Sequence, residues 1–288
     1  MTLRAILAVM AGGLLAPGSV WAQSQTIVDG VTVTPPVGKT PREQAHEYVA
    51  GVVKRPPLES LVRWRMPICP LVAGLPEGQG EYLLARLSEV AREVGAPLAG
   101  RDCRPNLYVV VSEEPERLLA LWRERDKHLF GAGLPATVAR FIETEKPVRV
   151  WHNWRFESPD GRLATRDGGD FGGAPTLRFS KASRLAENAV RNALTAIVVV
   201  DARRLDGVSV NQLADYVAMA ALTELRPDLR LGSAPTILGL FEDGGEHPPG
   251  LSSWDLAFLR GLYATGTENV NQRAVIAGQM LRAGAPRD

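Results

Sequence analysis

EYLLARLSEVAREVGAPLAGRDCRPNLYVVVS, residues 81–112, is the stretch that sets the fold class. Leu83, Leu84, Leu87, Val90, Ala91 and Val94 recur at helical spacing, so Glu81 to Val94 reads as an amphipathic helix with one apolar face. Gly95 ends it, and Pro97 blocks its continuation. Leu107-Tyr108-Val109-Val110-Val111 follows as an apolar run rich in β-branched residues, the pattern of a buried strand. Upstream, residues 61–75 carry Trp64, Met66, Ile68, Leu71 and Val72 and read as a further strand. The unit is therefore strand–helix–strand.

Working outward, Thr40-Pro41-Arg42-Glu43 opens a helix. Thr40 is the N-cap, Pro41 takes the first helical position and Glu43 completes a capping box. That helix runs to about Lys54, where Pro56-Pro57 stop it. Further helices are expected over residues 115–129 and 135–145. Residues 148–156 alternate, with Val148, Val150, His152, Trp154 and Phe156 on one face and Arg149, Trp151, Asn153 and Arg155 on the other. Residues 158–175 are rich in Gly and Asp and read as a long loop. Strands are expected over 176–185 and 195–205, the second centred on Ile197-Val198-Val199-Val200. Ser209, with Gln212, caps a helix reaching about Leu225; Ser252, with Asp255, caps another over 254–264; a last helix covers about 268–282. The expected fold is α/β (α+β), a single mixed sheet flanked by helices over residues 40–288.

The N-terminus speaks to location. Arg4 supplies a positive start, and Ala5 to Ala16 is an apolar run too short to span a bilayer. Pro17-Gly18-Ser19 break it, and Val20-Trp21-Ala22 has the small-residue form of a cleavage site. Residues 1–22 read as a secretory signal peptide cut after Ala22, which places the mature protein in the periplasm or outside the cell. Residues 23–39 hold Thr32, Thr34, Pro35, Pro36 and Gly38 and read as an extended leader. No Cys follows the cut directly, which argues against a lipid anchor there.

Removing 22 of the 288 residues leaves 266, enough for a sizeable core. The removed segment holds one of the 33 basic residues and none of the 32 acidic ones, so the mature chain is neutral with His uncharged. That balance argues against a nucleic-acid partner and against electrostatic membrane binding, and no second stretch is long enough for a membrane span. Cys69 and Cys103 are the two cysteines. In an oxidising compartment they are expected to form a disulfide; the alternative is a single catalytic thiol.

Catalytic motifs are missing. There is no G-x-S-x-G elbow, no Walker loop and no dinucleotide fingerprint. Gly168-Gly169-Asp170-Phe171-Gly172-Gly173 follows no strand–helix pattern and reads as a flexible loop. His46-Glu47 begins the two-histidine helical motif of zinc proteases, but Ala50 stands where the second His belongs. The four histidines have no local ligand spacing, so neither a metal nor a cofactor is expected. Asp215 is the one charged residue between Val210 and Thr223. Buried, it would need a partner and could carry a raised pKa; otherwise it sits on an exposed stripe or pairs with an Arg. Asp255 is explained by its capping box. Trp151 and Trp154, on opposite strand faces, pose a choice between packing and an exposed binding surface.

Three blocks in order carry a resemblance. They are Leu61-Val62-Arg63-Trp64 with Leu84 to Ser88, Gly95 to Leu98 and Asn106 to Val111; then Ala196 to Val200 leading into Leu213 to Leu222; then Pro235 to Phe241 followed by Leu251 to Asp255 and Leu259 to Tyr263. Over about residues 58–265 the chain resembles a family of secreted bacterial proteins of unknown function with zincin, metalloprotease-like architecture. The resemblance implies a His-Glu pair on the helix matching Leu213–Leu222. Here that stretch reads Leu213-Ala214-Asp215-Tyr216-Val217-Ala218-Met219-Ala220, and no His lies on it. The fold is thus implied without the activity.

The expectation is a non-catalytic, degenerate metalloprotease-like exported protein that binds an extended peptide or another cell-envelope component, with Val148–Phe156 as an edge strand for it. The alternative is a hydrolase with a rearranged site, for which Asp215, His152, Glu224 and Asp255 are the candidates. A small-ligand carrier would need an enclosed apolar pocket.

Overall fold

A computed structural model describes residues 38–53, 60–126, 128–131, 133–158, 161–163, 189–242, 248–266 and 271–284. The elements run α1 (Pro41–Val52), β1 (Arg63–Trp64), β2 (Pro70–Ala73), α2 (Glu77–Glu93), β3 (Leu107–Ser112), α3 (Pro115–Arg125), α4 (Pro135–Glu143), β4 (Val148–Glu157), β5 (Val190–Asp201), α5 (Val210–Leu222), α6 (Ser253–Ala264) and α7 (Gln272–Arg282). Short 3-10 turns occupy Ala202–Arg204 and Ile237–Phe241. These described residues belong to one compact unit, Gly38–Asp288.

The opening stretch becomes β2–α2–β3. Its strands are parallel, in register from Pro70 opposite Leu107 to Ala73 opposite Val110, and α2 is the crossover that parallel pairing requires. β5 pairs parallel with β3, from Leu107 opposite Ala196 to Ser112 opposite Asp201. The short β1 lies parallel to the start of β5, Arg63 opposite Asn192. β4 runs antiparallel along β5 from end to end. The sheet is therefore mixed and mainly parallel, and the fold is α/β.

Alternation along β5 supplies both faces. Ala196, Val198 and Val200 join the larger core, which takes in Leu83, Leu87 and Val90 of α2 and most of α5. Ile197 and Val199 point the other way, into a smaller core with Leu119 of α3, Phe130, and Val138 and Ile142 of α4. A strand covered on both faces reads as a continuous apolar run, and Ala196 to Val200 of β5 do. A bulge interrupts the strand, since Asn153 faces Thr195 while Trp154 faces Ala193, leaving Leu194 as the extra residue.

Helix ends dictate much of the remaining packing. The last four carbonyls of a helix lack intrahelical donors and must find others. In α1 the Val49 carbonyl accepts from Val53 N–H, Ala50 from the Arg226 guanidinium at 2.8 Å, Gly51 from Arg230 N–H at 3.1 Å and Val52 from Arg226 N–H at 2.9 Å. Gly51 permits this approach, because a Cβ there would meet the Arg230 carbonyl oxygen at 1.9 Å. In α5, Trp64 Nε1–H donates to Ala221 O at 2.9 Å and Tyr263 O–H to Leu222 O at 2.8 Å. In α6, the buried Arg63 guanidinium donates to Leu262 O at 2.8 Å and also to Thr265 O.

Several expected boundaries change. The single strand expected over residues 61–75 is two pieces, β1 and β2, because Pro67 and Pro70 offer no N–H to a ladder. α2 starts at Glu77, four residues before the apolar periodicity, and so takes Gly78 and Gly80 into its first turn. α3 stops at Arg125, α4 at Glu143 and α5 at Leu222. β5 begins at Val190 and ends at Asp201, whose side chain caps the following turn. β3 is not buried on both faces along its length; its residues alternate between buried and partly buried. The Thr40, Ser209 and Ser252 capping boxes are all present. Cys69 and Cys103 form a disulfide with Cα atoms 6.0 Å apart, joining the segments that lead into β2 and β3. No helix among the described residues is long and apolar enough to cross a membrane. The signal peptide, nearly all of the leader, the strand expected over 176–185 and most of the loop over 158–175 lie outside the described residues.

Candidate functional site

α5 is the helix on which the four candidate residues converge or fail to. Leu213 to Leu222 are all buried. A helix apolar all round has no solvent stripe, so the exposed-stripe reading of Asp215 does not hold. Its carboxylate is 2 % exposed and bonds Arg86 Nε of α2 at 2.6 Å. Leu251 N–H donates to its other oxygen at 2.8 Å. The bond to Asp215 holds the Arg86 guanidinium still more firmly protonated. Asp215 is thus a neutralised tie between α5, α2 and the segment before α6.

Asp255 is the residue next reached along that segment. Leu251 N–H goes to Asp215, and Ser252 N–H goes to Asp255 Oδ2 at 2.9 Å. Ile237 N–H and the Ser252 hydroxyl reach the same oxygen at 2.9 Å each. Oδ1 accepts from the Tyr48 and Thr236 hydroxyls, both at 2.6 Å. A fully buried carboxylate needs this many donors. It fastens α1, the turn at Ile237 and the start of α6 together. Burial, and then the Asp255 charge, push the Tyr48 hydroxyl well above its ordinary pKa, so it stays a donor.

His152 and Glu224 lie near the opposite end of α5, about 10 Å of helix away from Asp215 at ~1.5 Å per residue, each with its own partner. His152 Nε2 lies 3.0 Å from Ala221 O. A carbonyl only accepts, so the proton is on Nε2. Desolvation lowers the His152 pKa, against the opposing pull of the Ala221 carbonyl and the Glu224 charge, and the ring is neutral at physiological pH. It is a further cap for α5. Glu224 bonds Arg191 Nη1 at 2.9 Å. Arg191 in turn stacks 5.0 Å above the Trp154 ring. The structure therefore groups the candidates in two pairs, not one site.

Both tryptophans of β4 are half-buried, each packed on its own face of the sheet. Trp151 packs edge-on to Phe130 at 5.5 Å in the smaller core, and its N–H bonds Asn153 Oδ1. Trp154 packs at 5.0 Å on Phe156 and against the larger core. Each aromatic is held by the helical layer on its own face.

One cleft opens where sequence reasoning named no ligand site. It holds about 190 Å³ and lies between α1, residues 231–235 and the start of α6. Gln44, Glu47, Tyr48 and Trp254 line it. Trp254 is 4 % exposed, and its Nε1–H has no hydrogen-bond partner. The Trp254 ring packs 5.6 Å from that of Tyr48. At the rim, Glu47 holds the Lys39 ammonium at 2.6 Å and 2.5 Å from its two oxygens. Of the His46-Glu47 pair, Glu47 is thus engaged in an exposed ion pair, and His46 is half-buried. No local signal marks the cleft, because its walls come from segments nearly two hundred residues apart. Among the described residues, no group of three His, Cys, Asp or Glu is placed to hold a metal ion.

No protein family, curated protein or solved structure matches the chain.

Proposed function

We propose that the protein is exported and binds a peptide or another envelope component without cleaving it. The observation that carries this reading is the engagement of all four candidate catalytic groups by the fold itself. General acid–base work needs a group free to exchange a proton within reach of a nucleophile. Asp215 is neutralised by Arg86 and Asp255 is saturated by donors. The His152 proton is directed at a helix carbonyl, and Glu224 is taken by Arg191. The zincin resemblance points the same way, since α5 offers Ala, Met and Tyr where that architecture places a His-Glu pair. Alanine and methionine do not replace imidazole on a borderline ion such as zinc.

The test uses the protein exported with its own leader. N-terminal sequencing is expected to start at Gln23. The immobilised protein is then exposed overnight to a random peptide mixture with and without zinc, and bound peptides are eluted for mass spectrometry. Retained, full-length peptides are the expected result. Metal-dependent fragments would overturn the proposal and restore the hydrolase reading.

A further inference from the structure

We draw no further inference here: the strongest candidate, the partly exposed apolar face that Leu71 and Ala73 of β2 share with Tyr108 and Val110 of β3, joins neither hydrophobic core, and nothing in the structure shows what covers it.

Discussion

Replacing Asp255 separates a structural carboxylate from a catalytic one. In Asp255→Ala, the Ile237 and Ser252 N–H groups and the Tyr48 and Thr236 hydroxyls lose their acceptor inside the protein. The Ser252 hydroxyl retains the Pro235 carbonyl at 2.7 Å, so it is left out of the sum. Each stranded buried donor costs about 1–3 kcal/mol, giving roughly 4–12 kcal/mol for the four, against a total stability of about 5–15 kcal/mol. Asp255→Asn behaves differently. Its remaining oxygen must face the two backbone N–H groups, which cannot rotate. Its NH₂ then faces the Tyr48 and Thr236 hydroxyls, and these can turn to accept. The expected loss is only about 1–2 kcal/mol, the difference between a charged and a neutral acceptor. Urea unfolding followed by tryptophan fluorescence reads both variants, with an unchanged m-value required for comparison. An Ala variant within about 1 kcal/mol of wild type, or an Asn variant as damaged as Ala, would refute the assignment of Asp255 as the hub joining α1, the Ile237 turn and α6.

Arg86→Met leaves Asp215 buried without its cation and is expected to cost about 2–3 kcal/mol, at or just below the range for breaking a buried pair because Arg86 is 23 % exposed; Arg86→Lys should recover part of it, as the shift in urea midpoint will show. Removing both cysteines by Cys69→Ser and Cys103→Ser opens a loop of sequence separation 34 and should lower stability by about 3–4 kcal/mol in the loop-entropy treatment, measured against the oxidised wild type by the same unfolding curve. His152 has a folded pKa below its unfolded value of about 6.5 because of desolvation. Its contribution is thus fully present above that pH and is lost as pH falls toward the folded pKa, with a slope of at most ~1.4 kcal/mol per pH unit. Stability measured across pH 5 to 7 should lose this slope in His152→Gln.

The sequence made the periodic and locally capped elements legible. The face of α2, the apolar run of β5 and the boxes at Thr40, Ser209 and Ser252 each depend on neighbours a few residues away. The disulfide was legible from the cysteine number and the oxidising compartment that residues 1–22 lead one to expect. Pairing of Asp215 with an arginine was among the readings of its sequence, but which arginine, and the role of His152, were not legible, because the partners, Arg86 and the Ala221 carbonyl, lie 129 and 69 residues distant. The split of residues 61–75 into two strands has a local sign in Pro67 and Pro70, but the change of partner, β5 for β1 and β3 for β2, has none. The Trp254 cleft was hidden for a related reason. Its walls meet only when α1 and residues 231–235 are set around the start of α6.

The most direct test of binding without catalysis follows the random peptide mixture overnight on the immobilised, exported protein with and without added zinc, reading the bound and unbound fractions by mass spectrometry. Full-length peptides retained in both conditions are the expected result. Zinc-dependent fragments, or no retained peptide, would contradict it.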